Sequence, residues 1–145
     1  MNEIVFKSPK NKKELEQYDL FRWEMLRKPI GEQLNSLKDE FEDNAFHLVG
    51  IIKKKIIACG RLHFKNNYEA QIRYMAVSES YQGMGIGKKL LILLEDNAKQ
   101  NSAKKIILNA RDHAIGFYKA SGYTVHEKYY GSDTGIPHTT MTKTI

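Results

Sequence analysis

Over residues 71–94, QIRYMAVSESYQGMGIGKKLLILL, the hydrophobic pattern changes period abruptly. Residues 72–77 are apolar and rich in β-branched and aromatic side chains, as in a buried strand, and Ser78-Glu79-Ser80 ends the run with turn and cap formers. Beyond a glycine-rich turn, Ile86, Leu90, Leu91, Leu94 and Ala98 recur at helical spacing, with Lys88, Lys89, Glu95 and Lys99 on the polar side. The stretch predicts strand, tight loop and helix, and the rest of the chain is read around it. Residues 4–7 predict a short strand ended by Ser8-Pro9. Leu15, Tyr18, Leu20, Phe21, Met25 and Leu26 predict one amphipathic helix over 10–27, stopped by Pro29. Residues 31–44 are polar and acidic, a short helix or an irregular segment. Runs at 46–52 and 56–64 flank Lys53-Lys54-Lys55 as a hairpin, and Asn66-Asn67 turns the chain into a strand over 69–77. A strand over 105–109 follows the central helix. Asp112 then caps a helix over 113–121 that Gly122 ends, and strands over 123–130 and 139–145 close the chain, joined by the loop 131–138.

This order, β-α-α-β-β-β-α-β-α-β-β, predicts a single α+β (mixed α/β) domain over 1–145. Its 145 residues suffice to bury a core without staples, and Cys59, the only cysteine, has no partner for an internal disulfide. No apolar run reaches membrane-spanning length and the N-terminus lacks a signal-peptide pattern, so a cytoplasmic protein with no membrane association is expected. The net charge of +6 suits nucleic acid or a small ligand carrying several phosphates. The lysines at 12–13, 53–55, 88–89 and 104–105 are dispersed without interleaved aromatics, which disfavours a nucleic-acid stripe. Glu24, Glu32, Asp39, Glu40, Glu42 and Asp43 form either a solvated acidic surface or an attraction for a cationic substrate.

The candidate chemistry lies in Gln82-Gly83-Met84-Gly85-Ile86-Gly87. Its glycines let the backbone approach a ligand closely, and the free amides of the following helix suit a phosphate. Lys88 and Lys89 oppose the dipole of that helix and are candidate phosphate neighbours. A Walker loop requires glycine at 82 and Ser or Thr at 89, where Gln82 and Lys89 stand; a dinucleotide fingerprint requires glycine at 88, which is lysine. Five histidines without His-x-x-x-His spacing and a single cysteine argue against a metal site, and there is no Gly-x-Ser-x-Gly elbow.

Gln82, Gly85 and Gly87 match Gln/Arg-x-x-Gly-x-Gly/Ala, so the stretch resembles motif A of the GNAT superfamily of acyl-CoA-dependent N-acyltransferases. Asn109-Ala110 followed by Phe117-Tyr118-Lys119-Ala120-Ser121-Gly122-Tyr123 is similar to that family's second signature, and the predicted element order is that of its fold. Gly135-Ile136-Pro137-His138 with Met141 is similar to the small bacterial ElaA-like branch. The resemblance implies a central mixed, mostly antiparallel sheet flanked by helices. It also implies transfer of the acetyl group of acetyl-CoA, as co-substrate and without a metal, to a primary amine by direct attack in a ternary complex. The acceptor is a small-molecule or peptide amine; a homodimer is left open.

By the same resemblance, the backbone of Met75, Ala76 and Val77 pairs with the pantetheine arm, and the amides of Gly83, Met84, Gly85, Ile86, Gly87 and Lys88 hold the pyrophosphate. Asn109 contacts the pantetheine and Tyr118 protonates the departing thiolate. The register places Gln71 where many family members carry a glutamate base, and an amide cannot accept a proton. A water chain is one replacement; of the three residues weighed, Glu69, His63 and His138, the last ranks first because the resemblance places it near the substrate mouth. Gln71 also motivates the alternative of a non-catalytic acyl-CoA-binding or regulatory module.

Overall fold

The computed structural model describes residues 3–129 and 135–145. Tyr130, the end of the expected strand over 123–130, and the segment 131–134, part of the expected closing loop, lie outside the described residues. Seven strands, β1 (Val5–Lys7), β2 (Phe46–Ile52), β3 (Lys55–Phe64), β4 (Glu69–Val77), β5 (Lys105–Arg111), β6 (Thr124–Tyr129) and β7 (His138–Thr144), form one sheet in the order β1-β2-β3-β4-β5-β7-β6. Every neighbouring pair is antiparallel except β4 and β5. This is the mixed, mostly antiparallel sheet that the resemblance implies.

The two faces of the sheet are closed differently. Helix α2 (Ile86–Gln100) buries Ile86, Leu90, Leu91, Leu94 and Ala98 against Leu62, Ile72, Ile106 and Leu108. Gly60 lets it approach closely, since a Cβ there would stand 2.8 Å from Leu94 Cδ1. Helix α3 (Ile115–Ala120) brings Tyr118 into the same core. The opposite face is covered by α1 (Lys12–Arg22), whose Tyr18 packs with Val49, Ile56 and Cys59. Asn11 and Glu14 start α1 with a reciprocal capping box. At the β2–β3 hairpin the lysine triplet turns through left-handed Lys53 and Lys54, the conformation whose twist matches the flanking strands.

Two expectations are corrected. The helix over 10–27 is α1 followed by a π-helical turn, Trp23–Arg27, and then a short tight turn, Lys28–Ile30, that contains Pro29. The Lys28 amide bonds to the Trp23 carbonyl, so residues five apart lie on one side, and Arg22 and Arg27 both reach the sheet. Asp112 makes no side-chain cap; a tight turn, Asp112–Ala114, precedes α3.

One irregularity shapes the centre of the sheet. Cys59 pairs with Ala76 and Arg61 with Arg73, so Tyr74 and Met75 together oppose Gly60 in a β-bulge. Tyr74 has φ 57, strained for a bulky side chain. The thiol of buried Cys59 donates to its carbonyl at 3.3 Å. The bulge turns Arg73 and Tyr74 toward α1 and leaves Met75 packed against the α2 core.

Candidate active site

The parallel ladder between β4 and β5 holds only at its beginning, pairing Glu69 with Lys105, Ala70 with Ile106 and Gln71 with Ile107. Beyond that rung β4 and β5 make no further pairing, so Met75 to Val77 have no β5 partner along the edge that faces the gap. A sheet edge without a partner is an acceptor for another extended chain. Gln71 marks the apex of the gap.

At its wide end, β4 runs through Ser78 into the glycine loop. The Gln82 side-chain amide donates to the Val77 carbonyl at 2.9 Å and ties the loop to the strand. Gly83 (φ 79) and Gly85 (φ 80) take the left-handed conformation, and nothing lies within 4 Å of where their Cβ atoms would be. Gly85 is the N-cap of α2 and supplies no side-chain acceptor, which leaves the first-turn amides of α2 open beside exposed Lys88 and Lys89. Gly87 lies 3.4 Å, measured from its would-be Cβ, from the Phe117 ring. An open backbone cradle, unsatisfied amides and nearby lysines fit the pyrophosphate of coenzyme A.

Tyr118 stands across the gap from β4. Its hydroxyl donates to the Met75 sulfur at 3.7 Å, and its ring packs edge-on against Phe117 and Tyr123. Burial pushes the phenol up to about 12, so it stays protonated and serves as a donor. Asn109, on β5, accepts from Thr140 Oγ1 at 2.7 Å through its own Oδ1, which leaves its amide nitrogen able to donate.

The candidate bases are placed unequally. His138 opens β7, opposite Arg111 of β5. Its Nδ1 lies 2.7 Å from the Ile136 carbonyl, which can only accept, so Nδ1 carries the hydrogen and neutral His138 keeps the Nε2 lone pair. Glu69 begins β4, six residues before Met75, about 20 Å away at the rise of a strand. There it pairs with Lys105 at 3.7 Å. The structure does not bring Glu69 together with Tyr118 and the glycine loop. His63 is buried, stacked on Phe41, and accepts from Arg61 at its Nδ1. Burial and then the Arg61 charge lower its pKa to about 4, which makes it a poor proton acceptor. Burial pushes the Cys59 thiol up to about 12 and disfavours a cysteine nucleophile.

The sequence reading missed the side of the gap facing α1. The guanidinium carbons of Arg73, Arg61, Arg27 and Arg22 lie 4.5, 5.0, 5.6 and 5.8 Å from the centre of the Tyr74 ring. Arg22 pairs with Asp19 and Glu42, and Arg61 with Asp39 and Glu42. Arg73 shares Asp39 at 2.9 Å. Asp39 and Glu42 are therefore engaged as counterions, neither solvated, as expected of most of the acidic segment, nor free to attract a cation. A usable signal was present: Arg61, Arg73 and Arg111 interrupt strands that are otherwise apolar enough to be buried.

Comparison with known proteins agrees with this geometry. Residues 12–145 match the family model described as the acetyltransferase (GNAT) domain. The uncharacterized N-acetyltransferase YjcF of Bacillus subtilis is 31% identical over 92% of this chain and 95% of its own. The crystal structure of Escherichia coli ElaA superposes with a TM-score of 0.80 at 19% identity, covering 99% of both chains. That of an aminoglycoside 6'-N-acetyltransferase complexed with coenzyme A gives 0.79 at 15% identity, covering 98% of this chain and 96% of that one. With both signatures on either side of an opened β4–β5 ladder, and a family model matched over nearly all of its length, the chain belongs to the GNAT acetyltransferase family.

Proposed function

We propose that this protein transfers the acetyl group of acetyl-CoA to a primary amine by direct attack in a ternary complex. The observation that carries the reading is the gap beyond Gln71 and Ile107, bounded by the glycine cradle at its wide end and by the Tyr118 hydroxyl across from Met75. Acetyl-CoA, when bound, supplies the activated thioester. The chain's own groups position and exchange protons. The α2 amides with Lys88 and Lys89 bind the pyrophosphate, and the free edge of Met75 to Val77 with Asn109 orients the pantetheine arm. An edge amide there polarises the thioester carbonyl. The Tyr118 hydroxyl exchanges the weak acceptor Met75 Sδ for the departing sulfur. His138 Nε2 takes the ammonium proton directly or through water, since Gln71 cannot.

The test is thiol release from acetyl-CoA across a panel of primary amines, with the N-acetylated product identified by mass. Release without product, or no release by protein that binds acetyl-CoA, would refute transfer. Gln71 at the apex is the one feature favouring a non-catalytic acyl-CoA-binding module, and the second outcome is the one that module would give.

A further inference from the structure

We propose that the amine acceptor carries an oxyanion, a carboxylate or a phosphate, which docks on the Arg111 guanidinium at the wide end of the β4–β5 gap, across from His138. The inference rests on the acetyl-transfer reading and specifies its substrate class.

The chain has eighteen lysines and only five arginines, and all five arginines belong to this neighbourhood. Four ring Tyr74, and the fifth, Arg111, feels the charge of Arg27. The carboxylates are unequally shared. Arg22 and Arg61 are fully buried and take most of Asp19, Asp39 and Glu42 as fixed partners. Arg73 holds one oxygen of Asp39 and keeps its side chain 38% exposed.

Arg111 ends β5, where its Nη2 donates to the Leu26 carbonyl at 3.2 Å. Among the described residues no carboxylate contacts it. Its pKa is lowered by burial and next by the charge of Arg27. A partly buried guanidinium held by a neutral carbonyl is under-compensated, and an oxyanion from outside supplies the missing charge and matches its planar fork.

The location ties this charge to the reaction. Arg111 lies two residues beyond Asn109 on β5 and directly across from His138 on β7. Cross-strand partners have Cα atoms about 5 Å apart and carry their side chains on the same face, so one short acceptor can rest its oxyanion on Arg111 and present its amine to His138. Arg27 links this point to Tyr74, donating to its hydroxyl at 3.3 Å, and Tyr74 directly precedes Met75 in the bulge. A polycationic acceptor would meet charge of its own sign, because Asp19, Asp39 and Glu42 are already engaged by arginines.

The experiment compares kcat/KM for four amines with one two-carbon spacer, ethylamine, ethylenediamine, β-alanine and aminoethyl phosphate, in wild type, Arg111→Gln and Arg111→Lys. One or both oxyanion-bearing amines should exceed ethylenediamine, and Arg111→Gln should remove roughly 10- to 100-fold from them and much less from ethylamine. The better of the two distinguishes carboxylate from phosphate. Arg111→Lys, which keeps charge without the fork, should lose an intermediate amount and carries the test if Arg111→Gln does not fold. Preference for ethylenediamine, or an unchanged ratio in folded Arg111→Gln, overturns the inference while leaving acetyl transfer intact. If none of the four is acetylated by protein that binds acetyl-CoA, the transfer reading fails for these amines. Calorimetric binding of the same four then decides, and no preference for oxyanions overturns the inference.

Discussion

Replacing Tyr118 with phenylalanine separates packing from chemistry at the centre of the gap. The ring is held by Phe117 and Tyr123, with centroids 5.0 and 5.7 Å away, contacts that phenylalanine retains. The hydroxyl donates to a thioether at 3.7 Å, a weak acceptor that needs no partner when the donor is removed. Thermal stability should therefore change by no more than about 1 kcal/mol. Turnover should change far more. With the phenol at about 12, the proton is held more tightly than by a free thiol, whose pKa is about 8.5, a difference of about 5 kcal/mol against complete transfer in the unliganded site. Hydrogen-bond donation to sulfur as it gains charge is accordingly the smallest role for the hydroxyl, costing about 10- to 100-fold in kcat when lost. Full general-acid action costs about 10²- to 10⁴-fold. The assay is thiol release at saturating acetyl-CoA, with single-turnover runs to isolate the chemical step, while calorimetry should show nearly unchanged acetyl-CoA affinity. Equal single-turnover rates for Tyr118→Phe and wild type would reduce Tyr118 to a packing residue. An alkaline limb near pH 10 that vanishes in the variant would contradict a phenol raised by burial.

Three further outcomes are expected. Gly85→Val, placed at φ 80, should cost about 1–2 kcal/mol in stability and weaken acetyl-CoA binding at the cradle; unchanged calorimetric affinity in folded protein would rule out pyrophosphate contact there. His138→Ala should remove a rising limb of kcat/KM with pH for an acceptor of low amine pKa, and a variant profile that overlays wild type after scaling eliminates His138 as base. For Asp39, burial raises the pKa, but hydrogen bonds and charge from Arg61, with Arg73 behind, outweigh it and bring the carboxyl from 3.8 to about 2. Its folded value is depressed, so its stabilisation is present above about pH 4 and lost as pH falls through about 2; Asp39→Asn should lower Tm at neutral pH and flatten the acid limb.

How much of this was legible in the sequence depends on how local the cause is. The strand over 69–77 is reproduced as Glu69–Val77, because its alternation and the asparagine turn before it are local. Helix α2 and the glycine loop were legible for the same reason, and the order of strands followed, but the second helix of the expected order is replaced by short tight turns at Leu34–Leu37 and Glu42–Asn44. The β-bulge was not, since neither Tyr74 nor Met75 is a residue that advertises left-handed backbone; tertiary partners, the Cys59 thiol and the stacked arginines, hold Tyr74 there. The π turn escaped because apolar spacing over 10–27 fits an uninterrupted helix, and the departure shows only when Arg22 and Arg27 reach one ring. The arginine cluster draws on α1, the π turn, β3, β4 and β5, so no window of sequence contains it.

The division between lysine and arginine also explains why a chain of charge +6 places its cations so differently. Lysine is a strongly hydrated point charge, suited to exposed positions such as Lys88 and Lys89 beside the α2 amides, where a mobile phosphate can displace water. Arginine is less strongly hydrated, planar and able to stack, so Arg22 and Arg61 can be fully buried against Tyr18 and Tyr74 while both terminal Nη groups donate to shared carboxylates. Asp39 joins Arg61 to Arg73, and Glu42 joins Arg61 to Arg22, so these side chains form one connected network that braces the bulge from the face opposite α2. Lysine at position 61 would retain the charge but lose the paired bonds to Asp39 and the stacking on Tyr74. The support of the bulge, and with it the placement of Met75 opposite Tyr118, therefore depends on guanidinium geometry rather than on charge alone.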